Sequence, residues 1–132
     1  PWVRERYPVT GSPGEVVVAG QSLGALTALQ TVLERPDAVG AALSQSASLW
    51  RRDLDQLLDG RALAGVRVHL EVGAQEWVLR EPNERFAARL ASAGAEVRFA
   101  PYNGGHDYAC WRGGIADGLR GLLPAGEGLD AG

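Results

Sequence analysis

Lysine and methionine are both missing from the 132 residues, and all 13 basic residues are arginine. The lack of lysine points to a GC-rich coding sequence more than to chemistry. The lack of methionine even at position 1, with a start at Pro1-Trp2, points to a fragment or a processed chain. An upstream signal peptide would then lie outside the sequence. A single cysteine, Cys110, excludes an internal disulfide framework and a cysteine-based zinc site. Only His69 and His106 are available for imidazole chemistry. No apolar run approaches the roughly 18 residues that span a membrane. A net charge of −3 argues against a general nucleic-acid binder.

What remains is ordinary globular material, 22% charged and 45% hydrophobic, of a length that fits one domain. Glu15 to Ala19 is a short β-branched run apolar on both faces, which predicts a buried strand. Leu23, Leu26, Leu29, Val32 and Leu33 then recur at helical spacing until Pro36. Val39 to Leu43 predicts a second buried strand, and Ser44 to Ser48 a polar loop. A short helix is expected over Asp53 to Leu58 and a third strand over Val66 to Val72. Gly73 to Glu81 is expected as a loop. A helix follows from Pro82 to Ala93, with proline in its first turn and Gly94 as its stop. Glu96 to Ala100 predicts a fourth strand and Asn103 to Gly105 a flexible loop. The last helical stretch, Asp107 to Leu123, is weakened by four glycines, and residues 124–132 are expected as a flexible tail. Strands that alternate with helices imply an α/β fold with a mostly parallel sheet and flanking helices.

Between the first strand and the first long helix lies Gly20-Gln21-Ser22-Leu23-Gly24, a G-x-S-x-G motif. This is the strand-to-helix context of a nucleophile elbow, the device of the α/β-hydrolase fold. The tight turn projects Ser22, and both glycines are expected to relieve clashes with neighbouring backbone. The amide of Leu23 sits at a helix N-terminus, where an oxyanion would be favoured. A serine hydroxyl needs a base. His106, in a glycine-rich loop after the last strand, is the candidate. His69 falls inside a strand and reads as a packed residue. The orienting acid should follow the third strand, which selects Glu76. Glu71 ends that strand, Glu81 fits a helix N-terminus and Asp107 reads as a helix cap. A serine–histidine dyad is the alternative to a triad.

Three blocks carry a resemblance. They are Val18 to Ala25, Leu43 to Ser48 with Trp50, and Gly104-Gly-His-Asp-Tyr-Ala-Cys-Trp-Arg-Gly-Gly114. Together they resemble the enterochelin (enterobactin) esterase family from about Val16 to Leu123, the third block being the most specific. The resemblance implies serine esterases of the α/β-hydrolase fold that cleave the trilactone of ferric enterobactin and related catecholate siderophores. By motif match it implies Ser22 as nucleophile and His106 as base. Glu76 is placed at the family's Arg-Glu-Pro segment, although the run here is Gln75-Glu76-Trp77. Ala25 stands where many members have a second glycine. The family's domain is longer before the elbow, so residues 1–132 are expected to be the C-terminal half of such a domain. A parallel sheet cut there would expose an apolar edge open to self-association.

A ferric tris-catecholate is a large aromatic anion, suited to arginine and aromatic side chains. Gln21, Trp50, Arg52, Arg80, Trp111 and Arg112 are the expected substrate-binding residues. Trp77 and Arg51 stand beside them in sequence, and Cys110 reads as a small buried residue. No cofactor or protein-bound metal is expected, because iron would arrive inside the substrate. The expected partner is a small-molecule siderophore, with no nucleic acid and no membrane, in the cytoplasm. Two alternatives stand beside this reading: an esterase or acyl transferase acting on another ester, and a hydrolase-fold fragment without turnover.

Overall fold

The computed structural model describes residues 2–123; the expected tail lies outside the described residues. Four parallel strands, β1 (Val17–Gln21), β2 (Ala41–Gln45), β3 (Arg67–Gly73) and β4 (Glu96–Tyr102), form one sheet in the order β1-β2-β3-β4. Around it lie α1 (Trp2–Arg6), α2 (Leu23–Glu34), α3 (Trp77–Ser92) and α4 (Tyr108–Leu122). Short 3-10 turns occupy Pro13–Glu15, Leu49–Arg51 and Asp55–Leu57.

Successive strand residues face opposite sides of a sheet, and here the two sides differ. Ala42, Val68 and Leu70 point toward α2 and α3, where they join Leu29, Leu33, Phe86 and Leu90 in the main core. Truncating a buried leucine such as Leu29 should cost about 2–5 kcal/mol. Ala41 and Leu43 point the other way and meet Leu122, Ile115 and Leu119 of α4 in a much smaller cluster. Two of the glycines read as weakening α4 let it lie against the sheet. A Cβ on Gly114 would overlap the Glu71 carboxylate, and one on Gly118 would come within 2.6 Å of Leu43. At the β1 edge, Trp2, Val3, Val9, Val16, Val17 and Leu119 help line an open cavity of about 770 Å³.

The expected alternation holds, with shifted boundaries. β1 and β2 each start two residues later than the apolar runs and extend over Gln21, Ser44 and Gln45. Hydrophobicity misplaces these ends because Ser44 and Gln45 are fully buried polar residues held in the ladder. β4 likewise continues to Tyr102. The expected helix over Asp53 to Leu58 is a single 3-10 turn. The largest correction is α3, which starts at Trp77, so much of the expected loop is helix and Pro82 lies inside it. The proline removes one bond, to the Val78 carbonyl, and Val78 is exposed, so water can serve that carbonyl. Gly94 ends this region with a φ of 95°, a conformation that favours glycine.

Candidate active site

The carboxyl ends of all four strands bring the site together. Ser22 lies between β1 and α2 with φ 54° and ψ −115°, outside the regions that L-residues normally occupy. Gly20 is required there, since a Cβ on it would overlap the Gly24 carbonyl. Gly24 is different: a Cβ on it meets nothing within 4 Å. The expectation that both glycines relieve a clash therefore holds only at Gly20. The Leu23 amide is the first in α2, where an N–H has no intrahelical acceptor and meets the positive end of the dipole.

His106 and Glu76 complete a linear arrangement. His106 Nε2 lies 2.9 Å from Ser22 Oγ, and His106 Nδ1 lies 2.5 Å from Glu76 Oε1. The imidazole is 41% exposed and the Glu76 side chain only 3%. With Nδ1 donating to the carboxylate, Nε2 is left to accept the serine proton. Alcohol, imidazole and buried carboxylate in this order can deprotonate a nucleophile and stabilise the imidazolium that results. Ser22 Oγ also lies 3.2 Å from Ser48 Oγ.

Glu76 Oε2 carries a second set of contacts that the sequence does not announce. It accepts from the Gly73 amide at 2.5 Å, from Ser46 Oγ at 2.6 Å and from Tyr102 Oη at 3.1 Å. Burial and the adjacent Glu76 charge push the Tyr102 phenol up to about 12, so it stays a donor. Trp111 Nε1 donates to Ser46 Oγ at 3.0 Å, and the indole stands edge-on to His106 with ring centroids 4.7 Å apart. Ser46 belongs to the polar Ser44–Ser48 run that the sequence predicts as a loop. It closes β2, fully buried, with φ 56°.

The other histidine sits beneath α4. His69 Nε2 lies 2.9 Å from Glu71 Oε1, and Gln45 Nε2 donates to Glu71 Oε2 at 2.7 Å and to the Trp111 carbonyl at 2.8 Å. Burial opposes the charged form of Glu71, but the bonds from His69 and Gln45, with Arg98 nearby, hold its carboxyl below the usual range. Asp107 caps α4 through the Cys110 amide, which lowers its carboxyl too. Cys110 is half-buried rather than buried. Glu81, expected at a helix N-terminus, sits in the second turn of α3 and pairs with Arg85. The Arg80-Glu81-Pro82 run thus faces outward, while Glu76 reaches the histidine.

The expected substrate-binding residues separate. Trp111 is buried behind His106, because its indole is taken up by Ser46 and the imidazole, so it does not offer a face to a ligand. Arg52 turns onto α2, donating to Gln30 at 3.0 Å. Gln21 donates to Gln45 at 2.9 Å. Trp50 is exposed and lines a cavity of about 280 Å³ with Arg52, Asp53, Pro82 and Arg85. Arg80 and Arg112 are exposed. Beside His106, Glu76, Trp77, Val78 and Leu79 line a further cavity of about 280 Å³. Trp77 is 87% exposed there, the barest large apolar side chain among the described residues. Grouped acidic, histidine or cysteine side chains suited to hold a metal ion are absent among the described residues.

A parallel sheet with a serine on a strained strand-to-helix turn and a histidine after the last strand defines a protein of the α/β-hydrolase fold. The chain belongs to the esterase family whose model, described as "Putative esterase", matches residues 1–122. It is 36% identical over 129 residues to the iron(III) enterobactin esterase of Escherichia coli, covering 90% of this chain and 32% of that one. It is also 36% identical to an iron(III) salmochelin esterase of the same species, covering 93% and 34%. The crystal structure of the Shigella flexneri enterobactin esterase in the presence of enterobactin superposes with a TM-score of 0.84 at 35% identity, over 92% of this chain and 34% of that one. A ferulic acid esterase superposes with a TM-score of 0.77 at 20% identity, a likeness of fold alone. The chain thus spans about a third of the length of these enterobactin esterase relatives.

Proposed function

We propose that the protein is a serine esterase that hydrolyses the trilactone ester bonds of a ferric catecholate siderophore such as enterobactin. The observation that carries this reading is the continuous contact from Ser22 through His106 to Glu76. Ser22 Oγ attacks a lactone carbonyl carbon as His106 Nε2 takes its proton. The oxyanion that forms lies toward the Leu23 amide at the start of α2. Glu76 holds the imidazolium through Nδ1. Collapse of the intermediate expels a seryl alkoxide of the substrate, which takes the proton back from His106. Water then enters by the same route and releases the acid from Ser22.

The relatives' names support the substrate class, as do the exposed Trp50, Trp77, Arg80 and Arg112. Aromatic faces and guanidinium groups suit an anionic tris-catecholate. Iron is part of the substrate and no resident cofactor takes part. The proposed setting is the cytoplasm.

The test is incubation with iron-loaded enterobactin, followed by liquid chromatography and mass spectrometry, with Ser22→Ala in parallel. Linear trimer, dimer and monomer should appear only with Ser22 present. A folded wild-type sample that leaves the trilactone intact would overturn the proposal for this chain.

A further inference from the structure

Two groups that an esterase reading does not require converge on the acid from behind. The Ser46 hydroxyl can donate one proton, and Glu76 Oε2 at 2.6 Å is an ionic acceptor that suits it. Its lone pair then receives the Trp111 indole N–H at 3.0 Å. Donation therefore runs in one direction, from indole to hydroxyl to carboxylate. The other Glu76 oxygen accepts from His106, and the ring of Trp111 packs edge-on against that imidazole. Indole, hydroxyl, carboxylate and imidazole form a closed ring of contacts drawn from the bend after β2, the residue that caps α3, the loop before α4, and α4 itself.

Ser46 also holds a backbone conformation that costs free energy. Its φ of 56° is uncommon for any residue with a Cβ, and it has no exposed surface. A fully buried hydroxyl in a left-handed conformation persists where its surroundings over-determine it. The hydroxyl has Glu76, Tyr102 and Trp111 as its neighbours, and all three lie next to His106 or bond a residue that does.

We infer that Ser46, backed by Trp111, is a positioning residue that fixes the Glu76 carboxylate so that its free oxygen stays aimed at His106 Nδ1. This rests on the esterase reading only for its consequence in turnover. The geometry itself concerns the histidine–glutamate contact and has its own observable. A carboxylate left with the Gly73 amide and the Tyr102 hydroxyl can rotate, and the short bond to His106 loosens.

Two variants separate the hydroxyl from the backbone. Ser46→Ala removes the hydroxyl and keeps the Cβ. Ser46→Gly removes the hydroxyl and relaxes the φ requirement. The first readout is the low-field proton resonance of the His106 Nδ1–H by NMR on the full chain. His69, the only other histidine, reports whether the fold is intact. The resonance should broaden or vanish in both variants while the His69 signals stay in place. With p-nitrophenyl acetate as probe, kcat should fall about 10-fold with KM unchanged, the scale of one hydrogen bond to a charged group. Ser22→Ala should abolish turnover and keep the resonance. An unchanged resonance in a folded Ser46→Gly protein overturns the inference whether or not the chain hydrolyses esters. Loss of the resonance in a chain that hydrolyses nothing upholds the positioning role and removes the esterase reading instead.

Discussion

The chain has two histidines, and each is bonded to a glutamate. His106 meets Glu76 at 2.5 Å and His69 meets Glu71 at 2.9 Å. The first imidazole is 41% exposed and has a serine hydroxyl at its far nitrogen. The second is 2% exposed, and its far nitrogen has no hydrogen-bond partner among the described residues. A histidine–glutamate pair is thus not in itself a catalytic device. Access to solvent and an alcohol on the other nitrogen separate the pair that the proposed mechanism uses from a structural tie under a helix. The burial pattern follows position: His106 stands on a loop beyond the sheet, whereas His69 stands inside β3 beneath α4.

Substitutions should pull the two pairs apart. The largest effect is expected at the exposed pair. On the proposed mechanism, Ser22→Ala or His106→Ala should lower ester hydrolysis by about 10⁴–10⁶-fold, and Glu76→Gln by about 10⁴-fold, with the thermal midpoint little changed. Steady-state kinetics beside thermal unfolding would show this. Comparable loss from His69→Ala in folded protein would erase the distinction.

At the buried pair the effect should be on stability. His69→Ala leaves the buried Glu71 carboxylate with the Gln45 bond but without the His69 one, and losing a hydrogen bond to a charged group costs about 1.5–3 kcal/mol. Urea unfolding should record that loss, and kcat of the folded fraction should stay near wild type.

A smaller effect follows from pH. Glu71 ionises at 4.5 when unperturbed and lower in the folded chain. A depressed carboxyl contributes stability above its unfolded value, and the contribution fades as pH falls through the native one. The stability advantage of wild type over Glu71→Gln should therefore be flat near neutrality and shrink on acidification below about 4.5. An advantage that grew on acidification would mean that Glu71 is protonated in the native state.

Much of this was legible in the sequence, and the pairs show where legibility stops. The strand–helix alternation follows from apolar periodicity. The elbow follows from Gly20 and Ser22 at a strand-to-helix junction, and His106 and Glu76 follow from chain order. The partners of Glu76 did not follow. Ser46, Tyr102 and Trp111 come from three separate elements, and no spacing in the chain links them to one carboxylate. For the same reason sequence places Trp111 with the substrate: an aromatic next to an arginine reads as a ligand contact, whereas its indole donates inward to Ser46. The polar ends of β1 and β2 are not legible because buried glutamine and serine carry no hydrophobic signal. The start of α3 is not legible because proline favours the first turn of a helix, which makes Pro82 read as a beginning.

Serine-directed labelling tests most directly the claim that the exposed pair, and not the buried one, activates Ser22. A fluorophosphonate probe, with peptide mapping by mass spectrometry, would be applied to wild type, His106→Ala and His69→Ala. The account predicts a single adduct on Ser22 in wild type and in folded His69→Ala, and none in His106→Ala. Equal labelling of Ser22 with and without His106, or an adduct on another serine, would contradict it.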